Sequence, residues 1–518
     1  MTPRDAVIGI DIGTYSSKGV LCWADGSIAA EAGVEHGISI PTAGQMEHDA
    51  DEVWWRDVVR ISRQLMQAAP ANTRIAAVGV SAIGPCLLPV DERGRPLRPA
   101  ILYGVDVRAS DQAARLERDH GAGIRRLSGA SLTSQAVGPK MLWLQEQEPE
   151  VFARTARFLT STGYVVYRLT GEYSIDHHNA SYFAPFYDIR RTRWDLRYAD
   201  DRIRMATLPG LRWTNEIVGR VTPDAAAATG IPAGTPVIGG TTDGAAEAIG
   251  AGVVEAGDLM VSYGSTSALV LVADQYRPIP GLWMTRGAKS DEFVLTTALA
   301  TSGSITSWFR EQFARELPQV TLADTGEAHA QLSREAEASP PGARGLLLLP
   351  YFSGERSPFS DPHARGVVAG LSLSHERGDL YRAVLEATAF GIRHNLEAMA
   401  GCGTTVRRVR AVGGGTASRL WLQIVSDVTG LVQEIPERLM GASYGDAFLA
   451  ATAVGMVDGD TRGGHPWVLA VDRIEPDERN RDVYARRYEL YRELFRSTRP
   501  IVHELALGRP EDGARNTP

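Results

Sequence analysis

A chain of 518 residues exceeds one ordinary core and implies two large domains or three smaller ones. Hydrophobic residues at 44% and charged residues at 22% suit a globular protein and exclude a disordered one, and a net charge of -8 argues against nucleic acid, which demands a basic face. Cys22, Cys86 and Cys402 lie far apart with no C-x-x-C pair, which excludes a disulfide framework and points to a reducing, cytoplasmic setting. No apolar run nears the roughly 20 residues of a membrane span, and the N-terminus lacks the apolar segment of a signal peptide.

The first 40 residues read as three strands, VIGIDIG, SKGVLCWAD and SIAAEAGVEHGI, separated by turns at Gly13-Thr14 and Asp25-Gly26. A helix is predicted from about Asp49, with Val53, Trp54, Val58, Ile61 and Leu65 on one buried face. RIAAVGVSAIG follows as a buried strand. Residues 100–230 read as mostly helix and loop. Near residue 235 the pattern resets: TPVIGGTTDGAAEAIGAG is strand, glycine turn and helix; LMVSYGSTSALVLVA is a hairpin turning at Gly264-Ser265-Thr266. FVLTTALATSGSITSWF and RRVRAVGGGTASRLWLQIVSDVTG repeat the strand–turn–helix pattern. The chain therefore divides into two α/β halves of related order, with a boundary near residue 251 and an expected catalytic cleft between the copies. The tail after about Leu507 is expected to be disordered.

Four segments could carry chemistry. Asp11 ends a buried strand, and Gly13, Thr14, Ser16 and Lys18 follow in a turn whose amides, hydroxyls and ammonium suit phosphate. Asp11 could hold Mg²⁺ through water. Alone, this short stretch reads first as an ordinary hairpin with a turn-stabilising Asp. Gly264, Ser265 and Thr266 form the same kind of turn in the second half, and two such turns opening two halves point to one polyphosphate. Gly413, Gly414 and Gly415 precede Ser418 between a strand and a helix, where three glycines are more than a tight connection needs. Asp243 stands past a strand at a helix start, where an N-cap is the commonest job for an Asp and, on this feature alone, the first reading.

There is no G-x-x-x-x-G-K-[ST] and no G-x-G-x-x-G after a strand, which sets aside P-loop and Rossmann nucleotide sites. Gly441-Ala442-Ser443-Tyr444-Gly445 matches the nucleophile-elbow pattern, but no strand leads into the serine, and we read it as coincidence. His177-His178 lacks H-E-x-x-H spacing and reads as a local capping or packing pair.

In order, these stretches resemble the FGGY family of carbohydrate kinases, within the actin-like ATPase superfamily. The most specific segment is RGVVAGLSLSHERGDLYRAVLEA, with Asp379-Leu380 and Glu386, preceded by the G-E-R-S-P stretch in YFSGERSPFSDPHARG. The resemblance implies two duplicated RNase H-like α/β domains: residues 1–250 with the sugar site, first phosphate loop and catalytic Asp, and residues 251–518 with the nucleotide site. It implies ATP and Mg²⁺ as cofactors and a small sugar or polyol as partner, with no nucleic acid and no membrane; a homodimer is compatible with it. Gly13, Thr14, Ser16, Lys18, Gly264, Ser265, Thr266, Gly303, Gly414, Gly415 and Ser418 would bind ATP. Asp11 would help hold Mg²⁺, Asp243 would be the general base, and Gly84, Pro85, Asp106 and Asp243 would meet the substrate.

The resemblance is closest to xylulokinase-like members, and it departs where the sugar is read. Those members carry G-Q-M-H-G near residue 80, where this chain has Ala82-Ile83-Gly84-Pro85-Cys86; their W-x-D-x-R appears as Tyr103 to Arg108 without the Trp. D-xylulose is therefore predicted to be a poor substrate beside another ketose or polyol. The rival expectation is a kinase-fold ATPase or scaffold without sugar kinase activity.

Overall fold

The computed structural model describes residues 4–317, 322–437, 441–459, 461 and 464–508; the tail expected to be disordered lies outside them from residue 509. Its contacts divide it into two compact units: Met1–Ala256 with Val272–Leu295 and Arg438–Leu469, and Gly257–Leu271 with Thr296–Glu437 and Ala470–Pro518.

The first unit is built on β1 (Arg4–Ile12), β2 (Ser16–Trp23), β3 (Ile28–Glu35), β4 (Thr73–Ala82), β5 (Ile217–Arg220), β6 (Pro236–Ile238) and β7 (Thr241–Thr242). Their order is β5-β6-β4-β1-β2-β3, with β7 also on β4. β1, β2 and β3 form the antiparallel meander read from the sequence, and β4 runs parallel to β1. Both faces of β1 are buried, as a central strand requires. Ile8, Ile10 and Ile12 pack with Trp54, Val58, Ile61 and Leu65 of the helical segment Ala50–Ala68, which Asp49 caps by accepting the amides of Asp51 and Glu52. Val7 packs on the other face with Ala447 and Phe448 of the helix Ala442–Ala453. That helix lies directly on the sheet: a Cβ on Gly9 would sit 1.9 Å from the Ser443 carbonyl oxygen, and one on Gly79 2.1 Å from that of Asp446.

The second sheet contains β8 (Asp258–Ser262), β9 (Ser267–Ala273), β10 (Trp283–Arg286), β11 (Phe293–Leu299), β12 (Arg408–Val412), β13 (Gln433–Pro436) and β14 (Ala470–Ile474), in the order β10-β11-β9-β8-β12-β13-β14. β8 pairs antiparallel with β9 and parallel with β12, β13 parallel with β12, and β14 antiparallel with β13. From β11 to β14 this repeats the order from β3 to β5, and from β9 to β14 it repeats the directions from β2 to β5. The internal correspondence expected from the glycine-punctuated hairpins is a repeated strand topology.

The long-range signature of the sequence is scaffold. Asp379 and Glu376 form a reciprocal capping box at the start of the helix Arg377–Met399. The Glu386 carboxylate accepts from the Gly342 amide, Arg382 and Tyr484. In the G-E-R-S-P loop, Glu355 accepts the amides of Ala300 and Arg356, and Ser357 bonds both backbone groups of Ala298, which fixes the loop on the end of β11.

Candidate active site

Strand register assembles the first group of residues. Asp11 stands opposite Lys18 in the antiparallel pair and opposite Ser81 in the parallel one, and Ser81 in turn pairs with Thr241. Three parallel strands thus end together, and ligands of open α/β sheets bind outside such carboxyl ends. Just beyond β7, Asp243 opens the helix Asp243–Gly250. The sequence left Asp243 open to serving as that helix's N-cap. The cap is instead Thr242, whose hydroxyl accepts the Ala245 amide at 3.3 Å. Asp243 accepts the Gly244 amide on its Oδ1 at 2.8 Å and remains partly exposed.

Four carboxyl groups gather here: Asp11, Asp243, Glu247 and Asp446. Burial pushes the Asp11 carboxyl up to about 7, against a hydrogen bond from Ser81 and the charge of Lys18 that pull it down. Burial, then the neighbouring Asp11 charge, holds Asp243 well above the usual carboxylate range. Burial also raises Glu247, with Lys18 opposing. Like charges that cannot all ionise in a poorly hydrated place behave this way, and such groups are common in catalytic sites. Asp446, Glu247 and Ser81 were not singled out from the sequence. The available signal for Asp446 was a single acid in the otherwise uncharged, small-residue helix ASYGDAFLAATA.

The turn after β1 is closed by the Gly13 amide on the Ser16 carbonyl at 3.0 Å. His36 braces it from behind, with Nε2 3.1 Å from the Gly13 carbonyl oxygen and Nδ1 2.8 Å from Asp57 Oδ2. Thr14 Oγ1 lies 3.1 Å from the Tyr103 hydroxyl, and Lys18 is exposed. Two of the residues expected to meet the substrate, Asp106 and Pro85, are placed differently from expectation. Asp106 is buried, with its oxygens taken by Arg108 and the Met46 amide, so it holds the loop in place instead of presenting a carboxylate to substrate. Pro85 is buried too, whereas Gly84 is partly exposed and packs on Thr242, next to the catalytic candidate Asp243.

His177 and His178 are packing residues, as read. They bond the Tyr187 hydroxyl and the Arg286 carbonyl, and burial lowers both rings to about 4. The G-x-S-x-G stretch also has a packing explanation: Ser443 is buried, and a Cβ on Gly445 would sit 2.0 Å from the Ala246 carbonyl oxygen.

In the second unit, a cavity of about 580 Å³ is lined by Gly264, Ser265, Gly303, Gly414, Gly415 and Ser418, together with His329, Ser333 and Trp421. Six of the residues expected from the sequence to meet ATP therefore line one space. Thr266 is exposed in the adjoining turn. The Gly303 amide bonds the Gly264 carbonyl at 2.9 Å, and those of Ser302 and Ser304 bond the Ser265 carbonyl, which ties the turn to the start of the helix Gly303–Phe313. The three glycines are not equivalent. Gly413 has φ 94° and lies against Tyr263, and a Cβ on Gly415 would sit 2.6 Å from the Trp421 ring. Only a Cβ on Gly414 would meet open space. Protein packing accounts for two of the three glycines, and the ligand argument rests on Gly414 alone.

Family models for the FGGY family of carbohydrate kinases match residues 6–250 with the N-terminal domain and residues 259–454 with the C-terminal domain. The chain belongs to the FGGY family of carbohydrate kinases. It is 28% identical over 500 residues to xylulose kinase of Bacillus subtilis (strain 168), covering 96% of this chain and 97% of that one. It is 25% identical to gluconokinase of the same organism, covering 87% and 88%. The crystal structure of xylulose kinase from Rhodospirillum rubrum superimposes with a TM-score of 0.87 at 31% identity, covering 96% of this chain and all of that one. This FGGY protein is an ATP-dependent carbohydrate kinase with a small-molecule sugar substrate. Among the described residues no helix is long and apolar enough to cross a membrane.

Proposed function

We propose that this kinase phosphorylates a hydroxyl of a pentulose or a related ketose or polyol, with Asp243 as general base. The observation that carries the reading is Asp243 itself: it heads a helix whose cap is supplied by Thr242, it is partly exposed, and its raised pKa makes it a stronger base than an ordinary carboxylate. Asp243 takes the proton of the acceptor hydroxyl as that oxygen bonds the γ-phosphorus and the bond to the bridging oxygen of ADP breaks. The first unit supplies this base, the turn Gly13, Thr14, Ser16 and Lys18, and the sugar contacts around Gly84. The second supplies the nucleotide pocket through Gly264, Ser265, Thr266, Gly303, Gly414, Gly415 and Ser418. Free sugar and ATP as substrates agree with a cytoplasmic protein.

Mg²⁺ fits this donor set in a limited way. Asp11 presents a partly exposed carboxylate, and among the described residues no three His, Cys, Asp or Glu side chains group to hold a metal by themselves. Asp11 would therefore hold the ion with help from phosphate and water, as Mg²⁺ prefers. When bound, the ion would neutralise charge on the transferring phosphates.

Ile83, Gly84 and Pro85 offer no polar side-chain group, and a wall that does not hydrogen-bond discriminates weakly among hydroxyl patterns. D-xylulose is accordingly expected to trail a better substrate. The test is kcat/KM over D- and L-xylulose, D- and L-ribulose, erythrulose, xylitol, ribitol and gluconate. D-xylulose clearly ahead would defeat the specificity reading, and slow ADP release unaffected by any sugar would favour the ATPase alternative.

A further inference from the structure

Asp446 is wholly buried in the helix Ala442–Ala453, which rests backbone-to-backbone on Gly9 and Gly79. Ser81, two residues beyond Gly79 and also wholly buried, stands between two carboxyl groups. Its Oγ lies 2.7 Å from Asp446 Oδ2 and 3.0 Å from Asp11 Oδ1. A serine hydroxyl carries one hydrogen and can donate only once. Both contacts can be hydrogen bonds only if one carboxyl brings a hydrogen of its own; otherwise lone pairs would face each other at 2.7 or 3.0 Å.

The two acids are not equivalent. Asp11 is partly exposed and has Lys18 as its cross-strand neighbour. Asp446 is sealed, and its Oδ1 has no hydrogen-bond partner among the described residues. An ionised Asp446 would lose its hydration and leave Oδ1 uncompensated, with Ser81 alone to offset the loss, whereas Asp11 keeps solvent and the Lys18 charge. The hydrogen therefore sits on Asp446.

We propose that Asp446 is a positioning residue of the kinase: as a neutral acid it donates to Ser81, which donates to Asp11, so that the charge and orientation of the Asp11 carboxylate are fixed for Mg²⁺–ATP. The consequence for Mg²⁺ rests on the reading of Asp11 given above; the hydrogen-bond chain itself does not. Burial holds the Asp446 carboxyl well above the usual range, in agreement with the neutral form. A carboxylic acid kept neutral so that it can donate a hydrogen bond is an established device in enzymes.

Isotope-edited infrared spectroscopy of aspartate-labelled protein at neutral pH tests the chain directly. A protonated-carboxyl band present in the wild type and lost in Asp446→Asn supports it; a wild-type spectrum unchanged by Asp446→Asn overturns it. Calorimetry of Mg²⁺ with a non-hydrolysable ATP analogue, alongside turnover, tests the consequence. Asp446→Ala should weaken Mg²⁺ binding and kcat by about 10–100-fold, the range seen when an outer-shell partner is lost. Asp446→Asn, whose amide can still donate to Ser81, should recover most of both. Asp446→Ala matching wild type, or a folded Asp446→Asn as impaired as Asp446→Ala, overturns the proposal. If Asp446→Ala does not fold, Ser81→Ala takes its place, with the same expected loss. Asp11→Asn separates the two readings: unchanged Mg²⁺ binding in that variant defeats the role of Asp11 and leaves the infrared result standing.

Discussion

The two units repeat one strand order and put different chemistry at its ends. In the first, the parallel pair closes on Asp11 opposite Ser81; at the matching place in the second, Ser262 stands opposite Val412. The first copy gathers four carboxyl groups, and the second opens a cavity of about 580 Å³ with a bare backbone at Gly414. The two glycine turns also differ in support. The Gly13 carbonyl leans on His36 and Asp57, whereas those of Gly264 and Ser265 are held by the first amides of a helix. A duplicated fold supplies equivalent strand ends, and the side chains placed there decide what each end can do.

Substitutions can break this division. The largest effect is expected at Asp243→Asn, which should lower kcat by roughly 10²–10⁴-fold while leaving ATP affinity intact. A variant that turns over its best sugar near the wild-type rate would remove Asp243 from the mechanism. Thr14→Val and Thr266→Val should each weaken binding of an ATP analogue by ~1–3 kcal/mol if the hydroxyl meets a charged oxygen. Calorimetry with Mg²⁺ decides, and two unchanged affinities would make both turns merely structural. Thr14 has a side-chain partner in Tyr103, and among the described residues Thr266 has none, so loss of the Thr14 hydroxyl should also disturb the sugar side.

Gly414→Val and Gly415→Val sharpen the contrast between ligand space and packing. The first should raise the KM for ATP by about tenfold, equivalent to ~1.4 kcal/mol, with Tm unchanged. The second forces a side chain into Trp421 and should cost ~1–3 kcal/mol of stability, read as a lower Tm. Equal melting points for the two variants would contradict the assignment.

The smallest effect concerns pH. The Lys18 charge lowers the carboxyl pKa values of Asp11 and Glu247. Lys18→Met removes that charge, so these groups stay protonated to higher pH. The acid limb of kcat/KM, where the cluster must ionise, should move upward. A limb that stays in place or moves down would show that Lys18 does not act on the cluster.

The arrangement explains what could be read without coordinates. Periodicity and turn chemistry determined the β1–β3 meander, the helix behind Trp54 and the paired glycine turns, because each depends on residues within a few positions of one another. The same local logic made Asp243 a candidate while leaving open whether it merely capped its helix. Only the tertiary structure gave the cap to Thr242, assigned Gly413 and Gly415 to packing, and turned Asp106 towards Arg108. Only the tertiary structure, too, placed Ser81 within hydrogen-bond reach of Asp446, a residue 365 positions away. No local pattern encodes that meeting. It depends on a helix late in the chain settling onto two glycines of the first sheet, and on a buried acid finding there a partner that its own neighbours do not supply.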